Sequence, residues 1–282
     1  MPELPEVETI VSDLCKKVVG REIIGFWSQT PRIFPKNQIS KLKSQINGYQ
    51  IAKIDRRGKN ILFYLSQGSK INSQKLLLIH PKLTGRLLIG NHFLKNPKNY
   101  IRAIFYLDNK TALAFSDVRK FGKIIFGDKK KIESLPDLKN LGPDPLDKIF
   151  TVKKFKSLIS PQKRKIKLVL LDQEVIAGIG NIYSDEALWI AKIHPFTPSN
   201  QLTNHQLTKL YNAIRKVLKT SLRLRGSSMR DFRDTSGRAG GYIKIRRVYD
   251  REGLPCFRCG TKIKRIKMNV RSAHFCPQCQ RI

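Results

Sequence analysis

Residues 135–150, LPDLKNLGPDPLDKIF, hold three prolines, one glycine and three aspartates, and such punctuation separates two kinds of chain. Before it, YQIAKIDRRGKNILFYL (49–65), KLLLIHPKLTGRLLIG (75–90) and YIRAIFYLDNKTALAFSDVRKFGKIIFGD (100–128) read as strands. Asp108-Asn109 supplies a hairpin turn within the last of them. After it, TVKKFKSLIS (151–160), RKIKLVLLD (164–172), NIYSDEALWIAKI (181–193) and TNHQLTKLYNAIRKVLKTSLRL (203–224) space apolar residues three and four apart, as helices do. The expected fold is α+β. An antiparallel sandwich or barrel precedes residue 135, a linker covers 136–150, a helical domain spans 151–245, and 246–282 closes the chain.

That last segment carries the sharpest motif. Cys256-Phe-Arg-Cys259 and Cys276-Pro-Gln-Cys279 stand sixteen residues apart, a spacing that completes a tetrahedral thiolate site for zinc. Four thiolates leave no open position, so the ion is structural. Two disulfides, the alternative, do not suit a reducing compartment. The intervening TKIKRIKMNVRSAHF alternates polar and apolar residues and carries six basic groups, His274 included, which reads as a basic hairpin suited to nucleic acid. The fifth cysteine, Cys15, falls at a helical position and reads as a buried small hydrophobe.

Charge points the same way without deciding. With 55 Lys+Arg against 21 Asp+Glu, the 282-residue chain has a formal charge of +34, which implies a polyanionic partner. No apolar run approaches the roughly 20 residues that span a bilayer, and no signal peptide is evident; the expectation is a soluble cytoplasmic monomer. Seven Lys/Arg and no acid lie between Thr151 and Leu171. Nearby, AGIGNIYSDEAL (177–188) brings Asn181 to a helix start, where amides and the helix dipole favour phosphate. An ordinary N-cap at Asn181 is the alternative.

The acidic start, MPELPEVE, stands out against this charge. Val7, Ile10, Val11, Leu14 and Val18 recur at helical spacing, and Gly20 follows, so an amphipathic helix is expected from near Pro5. Glu6 and Glu8 suit its positive end. Glu3 and Pro2 precede it, and helix chemistry does not account for them. Removal of Met1 would make Pro2 a secondary amine with a pKa near the roughly 7.7–8.0 of an α-amino group. Such an amine can attack an aldehyde-level carbon and form an iminium, with Glu3 as the adjacent proton carrier.

Together PELPEVE (2–8), RRGK (56–59), DVRKFG (117–122), LGPDPL (141–146), AGIGNIY (177–183) and the terminal four-cysteine finger resemble the bacterial formamidopyrimidine-DNA glycosylases, in order over nearly the whole chain. Leu4 favours this branch over the related endonuclease VIII, which opens PEGPE. The resemblance implies an N-terminal helix and β-sandwich, a helix-two-turn-helix domain and a zinc finger, acting on duplex DNA that contains oxidised purines or abasic sites, in the bacterial nucleoid. It implies base flipping, excision through a Pro2 Schiff base, and β- then δ-elimination.

Residue by residue, the resemblance makes Pro2 the nucleophile, Glu3 the general acid/base, Lys59 a proton-transfer residue and Arg271 a phosphate ligand acting in δ-elimination. Taken alone, Lys59 reads as a solvated strand lysine. Arg119 and Phe121 match the pair that fills the void left by the flipped base, though Phe121 alone could be core. Leu83, in HPKLTG (80–85), stands where the family's HLGMSG usually has methionine, and Tyr100 stands near a DNA-contacting histidine. Asn181 with Lys167 matches the phosphate-pinching pair. RGSSMRDFRDTSGRAGGY (225–242) corresponds to the lesion-capping loop; Glu6 and Tyr242 are pocket candidates. A non-catalytic zinc-ribbon protein or a ribosome-associated factor would explain the charge and the cysteines, but not Pro2, Glu3 and Lys59 at these positions.

Overall fold

The computed structural model describes residues 1–68, 74–94, 100–229, 232–268 and 270–282. Arg230 and Asp231 of the expected capping loop, and Asn269 of the finger hairpin, lie outside the described residues. The chain forms two compact units, one of residues 1–140 with 225–241, the other of 141–224 with 242–282. The segment 225–241, read from sequence with the helices around it, thus groups with the N-terminal unit.

The first unit opens with helix α1 (Leu4–Val18). Val7, Ile10, Val11, Leu14 and Val18 are all buried, as their spacing requires, and each contributes roughly 1.5–3 kcal/mol by leaving water. Lys16 and Lys17 in the last turn complement the helix dipole. Strands β1 (Glu22–Ser28), β2 (Tyr49–Arg57), β3 (Asn60–Ser66), β4 (Lys75–His80), β5 (Arg86–Ile89), β6 (Ile101–Leu107), β7 (Ala112–Ser116) and β8 (Lys123–Asp128) join one sheet in the order β5-β7-β6-β1-β2-β3-β4-β8. Its neighbouring strands are antiparallel. Leu87 and Phe115 at one end of that order share a core with Phe63, Leu77 and Phe126 toward the other, so the sheet encloses its own apolar interior as a sandwich does. Helix α2 (Gln38–Gln45) packs by β1 and β8, and short helices α3 (Lys129–Glu133) and α4 (Pro136–Lys139) follow β8. The β6–β7 turn uses Asp108-Asn109 as expected, with Lys110 in the left-handed region at φ 61°.

Cys15 does not behave as expected. It is exposed, and its thiol donates to the Ile54 carbonyl at 3.5 Å. The apolar stripe of α1 passes through Leu14 and leaves Cys15 to one side.

The second unit contains α5 (Val152–Ile159), α6 (Ile166–Leu171), α7 (Asn181–Ala191) and α8 (Asn204–Arg223), then strands β9 (Lys264–Met268) and β10 (Arg271–Phe275). Thr151 caps α5 by accepting the Lys154 amide at 3.3 Å. Thr203 and Gln206 form a capping box on α8, so both starts are written in the sequence. Helix α7 is buried on nearly all sides, which makes it the pillar of the unit. The two turns between α6 and α7 are held by Gln173, whose amide donates to the carbonyls of Leu171 and Ile179 at 2.9 Å each and accepts from Gly178.

Candidate functional site

At the N-terminus, Pro2, Glu3 and Glu6 are all buried. Glu3 is the N-cap of α1, and Glu3 and Glu6 form a capping box in which Glu6 Oε2 accepts the Glu3 amide at 2.8 Å. The expectation that helix chemistry leaves Glu3 unexplained is therefore corrected. The helix begins one residue earlier, at Leu4, which places Glu3 at the capping position. Serine, threonine, aspartate and asparagine lead at that position, so a glutamate there carried no sequence signal. The other oxygen of Glu6 accepts the Ser227 amide at 2.7 Å. Gly226 sits at φ 83°, where an added Cβ would come within 2.8 Å of that oxygen; only glycine lets the segment approach so closely. Further along α1, Asp13 takes the Arg225 guanidinium at 2.6 Å. Carboxylates of α1 thus hold the 225–241 segment.

Lys59 lies in the turn between β2 and β3 and is 6% exposed, so it is not a solvated strand lysine. Two neighbours define its setting. Arg56 pairs with Glu8 at 2.6 Å, tying this turn to α1. His80, at the end of β4, feels the Lys59 and Lys82 ammonium groups; burial first, then those charges, push its imidazole down to about 3. A neutral His80 accepts the Lys82 amide at 2.9 Å through Nδ1. It can do so because it carries no proton there.

Leu83 is half-buried in the turn after β4, and Arg119 and Phe121 are exposed in the turn before β8. The Phe121 ring has the Arg119 guanidinium 4.8 Å from its centroid and that of Arg32 at 5.4 Å. Phe121 is therefore an exposed, cation-flanked ring and no part of the core. Lys82 beside Leu83 and Lys120 between the pair both have left-handed backbones, φ 53° and 57°. Tyr100 is 45% exposed with φ 49°, and its carbonyl accepts the Asp117 amide at 3.1 Å.

In the second unit, Asn181 is the first residue of α7 and Gly180 is its N-cap, so Asn181 is not the cap. Lys167 departs from its expected role beside Asn181. It is wholly buried and ion-paired with the buried Asp185, with no surface on which to meet a phosphate. Its count among seven cations hid this, because composition cannot separate a surface lysine from one that neutralises an internal carboxylate. Asp185 also accepts the His274 amide of β10 at 3.0 Å, so α6, α7 and the finger meet on one carboxylate. Its neighbour Glu186 accepts the amides of Arg247, Val248 and Tyr249 at 2.8–3.0 Å. Burial pushes its carboxyl up against the opposing pull of those amides. Tyr242 is buried, with its hydroxyl 3.4 Å from Glu186 and its ring edge-on to Tyr183.

Arg271 is exposed at the start of β10, opposite Met268 across the hairpin. The sulfurs of Cys256, Cys259, Cys276 and Cys279 lie within 4.8 Å of one another, with separations of 4.0, 3.5 and 3.4 Å among them. A disulfide needs about 2.05 Å, whereas thiolates 2.3 Å from one tetrahedral ion stand about 3.8 Å apart. The Cys256 sulfur also accepts from the Trp189 indole and the Arg258 amide at 3.4 Å each, as an anionic ligand does. The quartet is fitted to one structural zinc ion.

Sequence reasoning missed Asp117, His80 and Arg32. Asp117 could have been found as an acid inside a basic turn motif; His80 and Arg32 carried no such mark.

Comparison with known proteins covers nearly the whole chain. Residues 1–124 match the formamidopyrimidine-DNA glycosylase N-terminal domain, 141–233 the H2TH domain of the same enzymes, and 253–282 the zinc finger found in FPG and IleRS. The formamidopyrimidine-DNA glycosylase of Pelotomaculum thermopropionicum is 40% identical, with both chains covered in full at 100%. Lactococcus lactis Fpg in complex with DNA containing an abasic site aligns with a TM-score of 0.89 at 34% identity, over 99% of this chain and 100% of that one. MutM in complex with DNA containing carbocyclic 8-oxo-G aligns at 0.88 and 34%, over 100% of each. On this full-length similarity, the chain belongs to the formamidopyrimidine-DNA glycosylase family.

Proposed function

We propose that this chain is a base-excision-repair enzyme that removes oxidised purines, 8-oxoguanine and formamidopyrimidines, from duplex DNA and then cleaves the abasic site as a lyase. It acts as a monomer in the bacterial cytoplasm, on the nucleoid. The observation that carries the reading is the N-terminus: Pro2 and Glu3 are buried together at the start of α1, and Arg56 and Glu8 tie the turn bearing Lys59 to that helix.

With Met1 removed, the Pro2 nitrogen attacks C1′ of the flipped nucleotide. The N–C1′ bond forms as the bond to the base breaks, and the base leaves with a proton. Glu3 protonates the opening sugar ring, and an iminium results. Loss of a C2′ proton then breaks the C3′–O bond, and loss of a C4′ proton breaks the C5′–O bond. Lys59 carries protons during base loss or the first elimination, and Arg271 holds a phosphate through the second. Arg119, Phe121 and Leu83 fill the space vacated by the base. Asn181 holds backbone phosphate at the start of α7, Tyr100 meets DNA beside Asp117, and Glu6 in the first unit and Tyr242 in the second each contact the damaged base. Zinc supplies no chemistry, because four thiolates occupy its tetrahedron.

Borohydride reduction of the protein mixed with duplex carrying 8-oxoguanine tests this. The expected result is a covalent adduct with mass at the N-terminal peptide, absent from Glu3→Gln. A wild-type preparation verified to lack Met1 that gives no adduct, while a control glycosylase does, overturns the proposal and returns the chain to non-catalytic DNA binding.

A further inference from the structure

Two turns carry the residues proposed to enter the DNA, Leu83 in 81–85 and Arg119 with Phe121 in 117–122. They come from distant parts of the sequence, and one buried carboxylate joins them. Asp117 is 0% exposed. Its Oδ1 accepts the Thr84 hydroxyl and the Arg119 amide at 3.2 Å, and its Oδ2 accepts the Gly122 amide at 2.7 Å. Thr84 Oγ1 in turn accepts the Arg119 amide at 3.2 Å. The backbone of Asp117 is pinned as well: its amide donates to the Tyr100 carbonyl at 3.1 Å, and its carbonyl accepts Arg102 Nε at 2.8 Å. Behind the hub, the Phe115 ring lies where any side chain at Gly122 would have to go, which fixes the second turn against the core.

We propose that Asp117 is a positioning residue that makes the two turns one rigid body, so that Leu83 and the Arg119-Phe121 pair enter the duplex together. The proposal rests on the glycosylase reading of those three residues. Three donors from two turns point at two carboxylate oxygens. An asparagine offers one oxygen, and its NH2 group must face a donor, so Asp117→Asn leaves at least one buried contact unmade. Thr84→Val removes the link from the other side and leaves Asp117 intact, whereas Thr84→Ser keeps the hydroxyl.

The experiment is a double-mutant cycle on the full chain, reading affinity for duplex with a tetrahydrofuran abasic analogue against undamaged duplex. In the wild-type background, Leu83→Ala and Phe121→Ala should be non-additive by about fivefold or more, as residues moving as a unit are. In Asp117→Asn and in Thr84→Val that coupling should fall below about twofold, and the preference for abasic duplex should drop about tenfold; Thr84→Ser should retain both. Should Asp117→Asn fail to fold, Thr84→Val carries the result. Coupling that survives in the folded variants overturns the proposal alone. A wild-type chain with no preference for the abasic duplex overturns the parent reading and this proposal with it.

Discussion

The two units hold their candidate functional groups by different means. In the first, Pro2 and Glu3 sit at the start of a helix whose stripe lies in the core shared with the sheet, and the Leu83 and Phe121 turns hang from a carboxylate backed by Phe115. In the second, Arg271 rides on a two-stranded hairpin, too small to be stable alone. It lies between the two cysteine pairs and is tied to α7 through the Asp185 carboxylate, while Glu186 holds the 247–249 segment that precedes it. Apolar burial dominates the first unit, with one buried carboxylate joining its two turns, whereas the finger adds a metal quartet and buried carboxylates to a small apolar cluster around Trp189, Val248 and Ile263.

Removing the metal should separate the two most widely. Zinc chelation or Cys279→Ser should abolish DNA binding, by about 100-fold or more, as small metal sites unfold when a ligand is lost. Amide exchange over β1–β8 should stay protected; exchange that speeds throughout the sheet would break the contrast. Next in size is Lys167→Met. It strands the buried Asp185 and should destabilise the helical unit by about 3–5 kcal/mol, read as lost exchange protection in α6 and α7. The slope of log affinity against log salt should not change, because no phosphate contact is lost. A slope shallower by about one unit would restore Lys167 to the DNA surface.

The smallest effect belongs to the sheet. Burial, then the Lys82 and Lys59 charges, push the folded His80 imidazole down to about 3 from about 6.5 in the unfolded chain, so the unfolded chain binds the extra proton and stability falls as pH drops from about 6.5 toward 3. His80→Gln should spare roughly 2–3 kcal/mol of that loss at pH 4.5, measured as the difference in urea midpoints between pH 7.5 and 4.5. Equal losses in both proteins would show that His80 is protonated in the fold.

Local periodicity explains which parts of this were legible. The stripe of α1 and the cysteine quartet are written in short spacings, and both are realised. The capping of α8 by Thr203 and Gln206 is local too. What sequence could not carry is pairing across the fold. Thr84 meets Asp117 from thirty-three residues away, and Lys167 meets Asp185 from eighteen. At either site the residue type is common, and only the partner gives it meaning. Glu3 shows the same limit at close range, since a one-residue shift of the helix start turns an unexplained acid into a cap.

The left-handed lysines leave one consequence. Lys82 and Lys120 flank the residues proposed to insert, in a backbone region that costs a side-chain-bearing residue roughly 1–2 kcal/mol of steric strain and glycine almost none. Glycine at both positions would relieve that strain, against the greater freedom it gives the unfolded chain, and would deprive each turn of a cation beside the very residue proposed to leave solvent. Each turn thus keeps a positively charged residue in a conformation its backbone would more readily give to glycine, at the two places proposed to meet the duplex.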